Sequence, residues 1–277
     1  MYFWTKRGPL ARAMTAFVLI FILISCGRNS VAPAIAASAV LLSDQQIRAL
    51  VSKKVFFGHK SVGGNIIEGV KELMAADPRL KLNLVTSADP SSVQGPALIE
   101  SEIGENGIPP SKNAAFAGVL RRGMGPRGGI AMYKYCYVDV TDSTDVPHLF
   151  KEYRQGIESL VAEHPSVRII HITVPLTTVE PAPKAWVKEV LGRHTARAAN
   201  IKRNEFNRLL KQTYAADSIF DLAEVESTLP DGSRSYFSSG TDRIYTLAEE
   251  YTTDGGHLNE LGRQAAAERL LTLLANI

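Results

Sequence analysis

The stretch from residue 53 to residue 74, KKVFFGHKSVGGNIIEGVKELM, predicts the fold of this 277-residue chain. Its opening residues, KKVFF, form a short run that turns apolar and ends at Gly58, which is typical of a buried strand. After Ser61 the apolar residues recur on one helical face, at Ile66, Ile67, Val70, Leu73 and Met74. The stretch therefore predicts a strand, a tight glycine-containing turn that holds Ser61, and an amphipathic helix.

The same alternation of elements continues along the chain. Apolar runs predict further strands at residues 80–84, 133–140, 167–174 and 218–223. Helical spacing of apolar residues predicts helices at 146–163, 201–214 and 258–274, and a stretch rich in glycine, proline and serine runs from 85 to 129 with a short helix at 114–120. Apolar strands that alternate with helices indicate a five-stranded parallel sheet covered on both faces. In such a sheet the functional site lies at the carboxyl ends of the strands.

The N-terminus has the layout of an export signal. Basic residues precede an apolar run at 13–25, and this run is shorter than the roughly 20 residues that a membrane-spanning helix needs. Residues 23–26, LISC, resemble the lipobox of bacterial lipoproteins, which implies lipidation of Cys26; a plain secretory signal or an uncleaved anchor is the alternative. We expect a signal peptide at 1–26, a tether at 27–48 and one domain at 49–277, exported to the cell envelope and held at a membrane by the lipid.

The charge distribution argues against a nucleic-acid partner. The chain has 31 basic and 28 acidic residues, and three of the basic residues lie in the signal. The remainder is electrically balanced and has no basic run interleaved with aromatic residues. One cysteine is left after the lipobox, Cys136, and its apolar surroundings favour a buried thiol. We expect neither a nucleic-acid partner nor a cofactor.

Two segments carry residues suited to nucleophilic catalysis. Residues 58–64, GHKSVGG, place Ser61 at a strand-to-helix turn, where negative charge is favoured by the helix N-terminus. Residues 254–257, DGGH, place Asp254 three residues before His257, just ahead of the last helix. A serine hydroxyl needs a base, and the base needs a group that orients it. The pattern predicts that His257 activates Ser61 and that Asp254 orients His257, although each feature alone is also typical of an N-cap or a turn.

A serine after the first strand, followed near the C-terminus by Asp-x-x-His, resembles the SGNH or GDSL-type hydrolases. The resemblance extends from about residue 51 to the end of the chain. It implies a flavodoxin-like three-layer α/β/α sandwich and esterase activity. At residues 59–61 this sequence has HKS where the family has Gly-Asp-Ser. His59 is therefore a candidate for orienting the substrate, or a packing residue.

The family also uses a glycine after strand two and an asparagine after strand three to hold the oxyanion. In the segment 104–107, GENG, Gly104 fits the position of that glycine, and Asn106 is a candidate second donor. The segment after strand three, DVTDS at 139–143, contains no asparagine. The resemblance therefore leaves one oxyanion donor without a counterpart in this chain.

Other classes fit the sequence less well. An α/β-hydrolase has its nucleophile after several strands, and a P-loop requires Lys-Ser/Thr where this chain has Gly64 and Asn65. A metal site built from His59, Asp254 and His257 would have few ligands, so no metal is expected. We expect an acylated glycan or lipid as substrate. An acyltransferase of the same fold and a non-catalytic lipoprotein that binds a glycan or a partner are the alternatives.

Overall fold

The central sheet of the computed structural model contains six parallel strands. The structure describes Met1 and residues 42–124, 128–180 and 195–277. Within these ranges the strands are β1 (Lys54–His59), β2 (Leu84–Thr86), β3 (Ala97–Glu102), β4 (Gly129–Tyr133), β5 (Val167–Ile172) and β6 (Ile219–Phe220). Their order across the sheet is β2-β3-β1-β4-β5-β6, so β1 is central and has β3 and β4 as neighbours.

Helices cover both faces of this sheet. They are α1 (Asp44–Val51), α2 (Val62–Ala76), α3 (Pro109–Arg122), α4 (Val146–Glu163), α5 (Ala196–Thr213), α6 (Leu222–Ser227) and α7 (Glu260–Asn276). Helices α1 and α2 pack with α7 on one face, and α4 packs with α3 and α5 on the other. Val55 and Phe57 of β1 enter the first core and Phe56 enters the second, because successive strand residues point to opposite faces. The predicted α/β sandwich with a parallel sheet is confirmed, with six strands among the described residues where five were predicted.

The unpredicted strand is β3, which lies in the stretch assigned to a loop. Its first residues are buried at Ala97, Leu98 and Ile99, but glycine and proline precede them and acidic residues follow. The acidic residue Glu100 is tolerated in a strand because its carboxylate lies 2.9 Å from Nε2 of His59 on the adjacent strand β1. A tertiary pairing thus decides the conformation of a segment whose composition favours a loop.

Strand β4 also differs from its prediction, because it ends at Tyr133 instead of beginning there. The segment that follows leaves the sheet and enters a 3₁₀ turn at Tyr137–Asp139. Tyr135, Cys136 and Val140 are buried on either side of this turn, whereas Val138 within it is exposed, and Cys136 is the buried free thiol that the sequence predicts. The backbone N–H of Cys136 donates to the Asp139 carboxylate at 2.5 Å. The apolar run therefore reflects burial of a loop and not a strand.

A small antiparallel hairpin lies outside the main sheet, between α6 and α7. Its strands are β7 (Tyr236–Ser239) and β8 (Asp242–Tyr245). Asn204 of α5 holds it, since the side-chain amide accepts from the backbone N–H of Tyr245 at 3.0 Å and donates to the Tyr245 carbonyl at 2.9 Å. The hairpin is thereby fixed to the α5 layer.

The described fold begins with α1, which Ser43 caps through a capping box with Gln46. Helix α1 thus extends across residue 49, the predicted start of the domain, and the domain boundaries stay predictions. The predicted signal peptide, Cys26 and most of the tether lie outside the described residues and stay predictions. None of the helices in the described ranges has the length and apolar character that crossing a membrane requires.

Candidate active site

Ser61 is the N-cap residue of α2 and has a strained backbone. Its φ of 56° and ψ of −117° make it the one non-glycine residue with positive φ in the described ranges. Its side chain makes no capping hydrogen bond, whereas Oγ of Ser43 at the start of α1 accepts from the backbone N–H of Gln46. Such conformations persist where the surrounding structure enforces them, and they cluster at functional sites. The Ser61 hydroxyl is consequently available to a partner outside its own helix.

The three residues predicted to act together are brought into one hydrogen-bonded relay. Oγ of Ser61 lies 2.8 Å from Nε2 of His257, although the residues are 196 positions apart in the chain. On the other side of the ring, Nδ1 of His257 lies 2.7 Å from Oδ2 of Asp254. With Asp254 ionised, Nδ1 carries the ring proton and Nε2 accepts from the serine hydroxyl. This arrangement can take a proton from Ser61.

Asp254 is held in its ionised form by hydrogen bonds. Its Oδ1 accepts from the backbone N–H groups of Gly256 at 2.9 Å and His257 at 2.8 Å. These two backbone bonds, followed by the bond from the His257 ring, hold the pKa of Asp254 well below its usual range. The carboxylate therefore keeps its charge, and with it the tautomer of His257, throughout the neutral range.

The loop that carries Asp254 and His257 is fastened on two sides. The backbone N–H of Thr178 donates to the carbonyl of Gly255 at 2.9 Å. The backbone N–H of Leu258 donates to Oδ1 of Asn65 at 3.1 Å, and Asn65 lies in the first turn of α2. Gly255 has a φ of 86°, which glycine adopts without strain. The loop position is thus fixed relative to Ser61.

Tyr137 contacts this relay and was not among the predicted site residues. Its ring and the His257 ring meet edge to face, at an interplanar angle of 75° and a centroid distance of 5.8 Å. Burial, then the charge of Asp254, raise the pKa of the phenol. The sequence does not single out Tyr137, because it lies in an apolar run whose composition predicts a strand interior and not a turn at the carboxyl edge of the sheet.

The predicted oxyanion glycine, Gly104, lies in the loop after β3, which neighbours β1. The sequence placed it after the second strand, and the undetected strand β3 explains the difference. Gly104 has a φ of 61°, and a Cβ atom there would lie 2.7 Å from the backbone of Lys112. Asn106 is exposed, and its carbonyl oxygen accepts from Nζ of Lys112 at 3.1 Å. The oxyanion roles of Gly104 and Asn106 stay predictions.

A fully buried ion pair joins Lys112, in the first turn of α3, to Asp139, in the 3₁₀ turn at this edge of the sheet. Asp139 also accepts from the backbone N–H groups of Gly107 at 2.7 Å and Cys136 at 2.5 Å. The pair therefore connects the loop after β3 to the turn that holds Tyr137. No spacing in the sequence indicated the partnership, because the two residues are 27 positions apart on separate elements.

His59 is buried at the end of β1. Its Nε2 lies 2.9 Å from Oε2 of Glu100, and its ring packs on Phe57 with a centroid distance of 4.9 Å. Burial lowers the pKa of the imidazole, and the nearby Glu100 opposes this shift. The substrate-orienting role of His59 stays a prediction. Within the described ranges no three potential metal-ligating side chains lie close enough together to hold an ion.

A cleft of about 860 Å³ opens beside the relay. Tyr137, Asp254 and Gly256 form the wall that it shares with the site. The lining also includes five hydroxyl side chains, namely Thr141, Ser143, Thr177, Thr178 and Thr195. The cleft offers space for a substrate group on the Asp254 side of the relay.

Comparisons with known proteins yield distant structural likenesses. No family model matches the sequence, and no curated protein matches it. A Streptococcus pneumonia structure described provisionally as a platelet activating factor superimposes with a TM-score of 0.47 and 14% identity, over 83% of this chain and 89% of that one. The OSK domain of Drosophila Oskar gives a TM-score of 0.40 and 13% identity, over 85% and 97%. These likenesses concern the fold alone, and the chemistry of the site follows from the side chains of this chain.

Proposed function

We propose that this protein is a serine hydrolase that cleaves acyl esters. Ser61 is the nucleophile, His257 is the general base and then the general acid, and Asp254 orients and stabilises the imidazolium. The observation that carries the proposal is the continuous relay, in which Ser61 Oγ lies 2.8 Å from His257 Nε2 and His257 Nδ1 lies 2.7 Å from Asp254 Oδ2. Both distances are within the range required for proton transfer.

The backbone of Ser61 supports the nucleophile assignment over that of a simple helix cap. A capping serine accepts a hydrogen bond from the first turn of its helix, as Ser43 does in α1. Ser61 makes no such bond, and its φ of 56° is unfavourable for a serine. This strain turns the hydroxyl toward His257, which a cap does not require.

The reaction follows the usual two steps of acyl transfer. Ser61 Oγ attacks the ester carbonyl while its proton passes to Nε2 of His257, and collapse of the tetrahedral adduct releases the alcohol with that proton. Water then attacks the acyl-enzyme with the same base, and the acid is released. Asp254 stays ionised throughout, because its backbone hydrogen bonds stabilise the carboxylate.

The substrate that we propose is an acylated glycan or lipid of the cell envelope. The cleft beside Asp254, with its serine and threonine hydroxyl groups, supports a polar leaving group. The apolar run and the LISC segment at 23–26 support export and lipidation at Cys26. Radiolabelled palmitate incorporation tests the anchor: incorporation into the wild-type chain and its loss in Cys26→Ser are expected, whereas equal labelling of both would contradict it.

Active-site labelling with a fluorophosphonate probe, together with hydrolysis of p-nitrophenyl acetate, tests the enzyme assignment. Both are expected for the wild-type chain and are expected to disappear in Ser61→Ala. Ser43→Ala is the matched control: it removes a true helix cap, costs about 1 kcal/mol of stability, and leaves labelling intact. A wild-type chain that neither labels nor turns over, beside a serine esterase that does both, would favour a non-catalytic binding protein.

A further inference from the structure

Acyl transfer at Ser61 requires hydrogen-bond donors for the charge that develops on the carbonyl oxygen. Each such donor contributes on the order of 10²–10³ to the rate. The backbone N–H of Ser61, at the N-terminus of α2, is a candidate for one donor. A second donor has to lie close to Ser61 Oγ without serving as the base. The candidates for this second donor are therefore the described side chains that lie next to Ser61.

Two described side chains stand at this position: His257, hydrogen-bonded to Ser61 Oγ at 2.8 Å, and Tyr137, whose ring packs on the His257 ring at a centroid distance of 5.8 Å. His257 is occupied on both nitrogens, by Ser61 and by Asp254. Asn106, the donor suggested by the sequence, is exposed and directs its carbonyl oxygen at Lys112. We propose that the hydroxyl of Tyr137 donates a hydrogen bond to the oxyanion formed at Ser61. This inference rests on the proposed function and assigns an additional catalytic residue to it.

Contacts on both the ring and the backbone of Tyr137 fix this residue beside His257. Its ring stands against His257 at a centroid distance of 5.8 Å, and its hydroxyl lies 3.0 Å from where a Cβ atom on Gly256 would be. Its carbonyl accepts from Nε of Arg203 at 3.0 Å. The turn itself is fastened by Asp139, which pairs with buried Lys112. The phenol is thus preorganised, which is the condition under which an oxyanion donor is effective.

The protonation state of Tyr137 suits a donor. Burial and the charge of Asp254 raise the pKa of the phenol, so the hydroxyl keeps its proton across the neutral range. In the reaction, Ser61 Oγ forms a bond to the carbonyl carbon, its proton moves to His257, and the π pair of the carbonyl moves to oxygen. Tyr137 donates to that oxygen and retains its own proton, and the pair returns when the alcohol leaves.

Tyr137→Phe tests the proposal, because it deletes the donor and keeps the ring on His257. We expect kcat for p-nitrophenyl acetate to fall about 10²-fold with KM within threefold. The affinity for a trifluoromethyl ketone, which forms an anionic adduct with a serine, is expected to fall by a similar factor. Tyr135→Phe is the matched control, since its hydroxyl donates to Asn113 at 2.6 Å, away from Ser61; its kcat is expected to stay within threefold.

A rescue experiment separates donation from packing. At position 137, 4-aminophenylalanine retains a donor and 4-fluorophenylalanine does not. We expect the amino variant to exceed the fluoro variant at least tenfold in kcat. Equal rates for these two variants, or ketone affinity unchanged in Tyr137→Phe, would overturn the proposal. If the wild-type chain still shows Ser61-dependent turnover in the same assay, the hydrolase assignment is supported and only the role of Tyr137 is wrong. If it shows no turnover, the hydrolase assignment and the role of Tyr137 are both contradicted.

Discussion

Asn65 and Leu258 join the two halves of the candidate site: Oδ1 of Asn65 accepts from the backbone N–H of Leu258 at 3.1 Å. Asn65 lies in the first turn of α2, four residues after Ser61, and Leu258 directly follows His257. The serine and the histidine thus belong to loops that are fastened to each other next to the relay. The distance between Ser61 and His257 is therefore set by the Asn65–Leu258 hydrogen bond as well as by the hydrogen bond between the two side chains.

Substitution of Asn65 tests the importance of this fastening. Asn65→Leu removes the acceptor, and we expect kcat/KM for p-nitrophenyl acetate to fall about tenfold, because small misplacements of reacting groups are costly. We expect the stability to fall by only about 1 kcal/mol. Asn65→Asp retains an acceptor in the same place and is expected to stay within threefold of wild type. Similar activity of the two variants would contradict the prediction.

Ser61 is predicted to be a site where activity and stability conflict. The strained backbone of Ser61 destabilises the folded state by on the order of 1–3 kcal/mol, and Ser61→Gly relieves this strain. Part of the stability gained is lost again, because glycine increases the conformational entropy of the unfolded chain. We expect Ser61→Gly to be about 1 kcal/mol more stable than Ser61→Ala in chemical denaturation, although both lack activity. If the alanine variant is the more stable one, the strain assignment is wrong.

Gly256 is predicted to set the position of the Tyr137 ring. A Cβ atom at residue 256 would lie 3.0–3.1 Å from the ring atoms, so Gly256→Ala has to displace the ring by a few tenths of an ångström. We expect kcat/KM to fall about tenfold through this displacement. Gly156→Ala in α4 is the control, because a methyl group there meets no atom within 4 Å; it is expected to add about 0.5–1 kcal/mol of stability at unchanged activity.

Glu226 is predicted to make stability fall with rising pH. The carboxyl is fully buried, and burial raises its pKa to about 8 in the folded state, from about 4.3 in the unfolded state. A raised pKa means that the stabilising contribution is present below about pH 4.3 and is lost as the pH rises through 8. Glu226→Gln mimics the protonated form and can still accept from the backbone N–H of Leu176, a bond of 2.7 Å in the wild type.

We expect Glu226→Gln and wild type to have similar unfolding free energies at pH 4.5. At pH 9 the variant should be more stable, by roughly 2 kcal/mol or more. Urea denaturation at a series of pH values measures the difference. A difference that does not change with pH would show that Glu226 does not titrate in this window.

The sequence alone determined the class of the fold and the chemistry-bearing residues. Apolar runs that alternate with helical periodicity favour a parallel sheet covered by helices, because this arrangement buries the apolar strands and the apolar face of each helix. Ser61, Asp254 and His257 were recognisable because their local spacing carries the information. A serine in a glycine-containing turn and an Asp-x-x-His segment are short-range features.

Only the tertiary structure decided which loops meet at the edge of the sheet. Strand β3 forms because Ala97–Glu102 pairs with β1, and no local sequence pattern indicates this pairing. The pairing places Gly104 in the loop next to the one that carries Ser61. Tyr137 was hidden in an apolar run, since burial in a turn and burial in a strand give similar compositions. The Lys112–Asp139 pair was likewise invisible, because residues on separate elements become partners through the order of the strands and not through their distance along the chain.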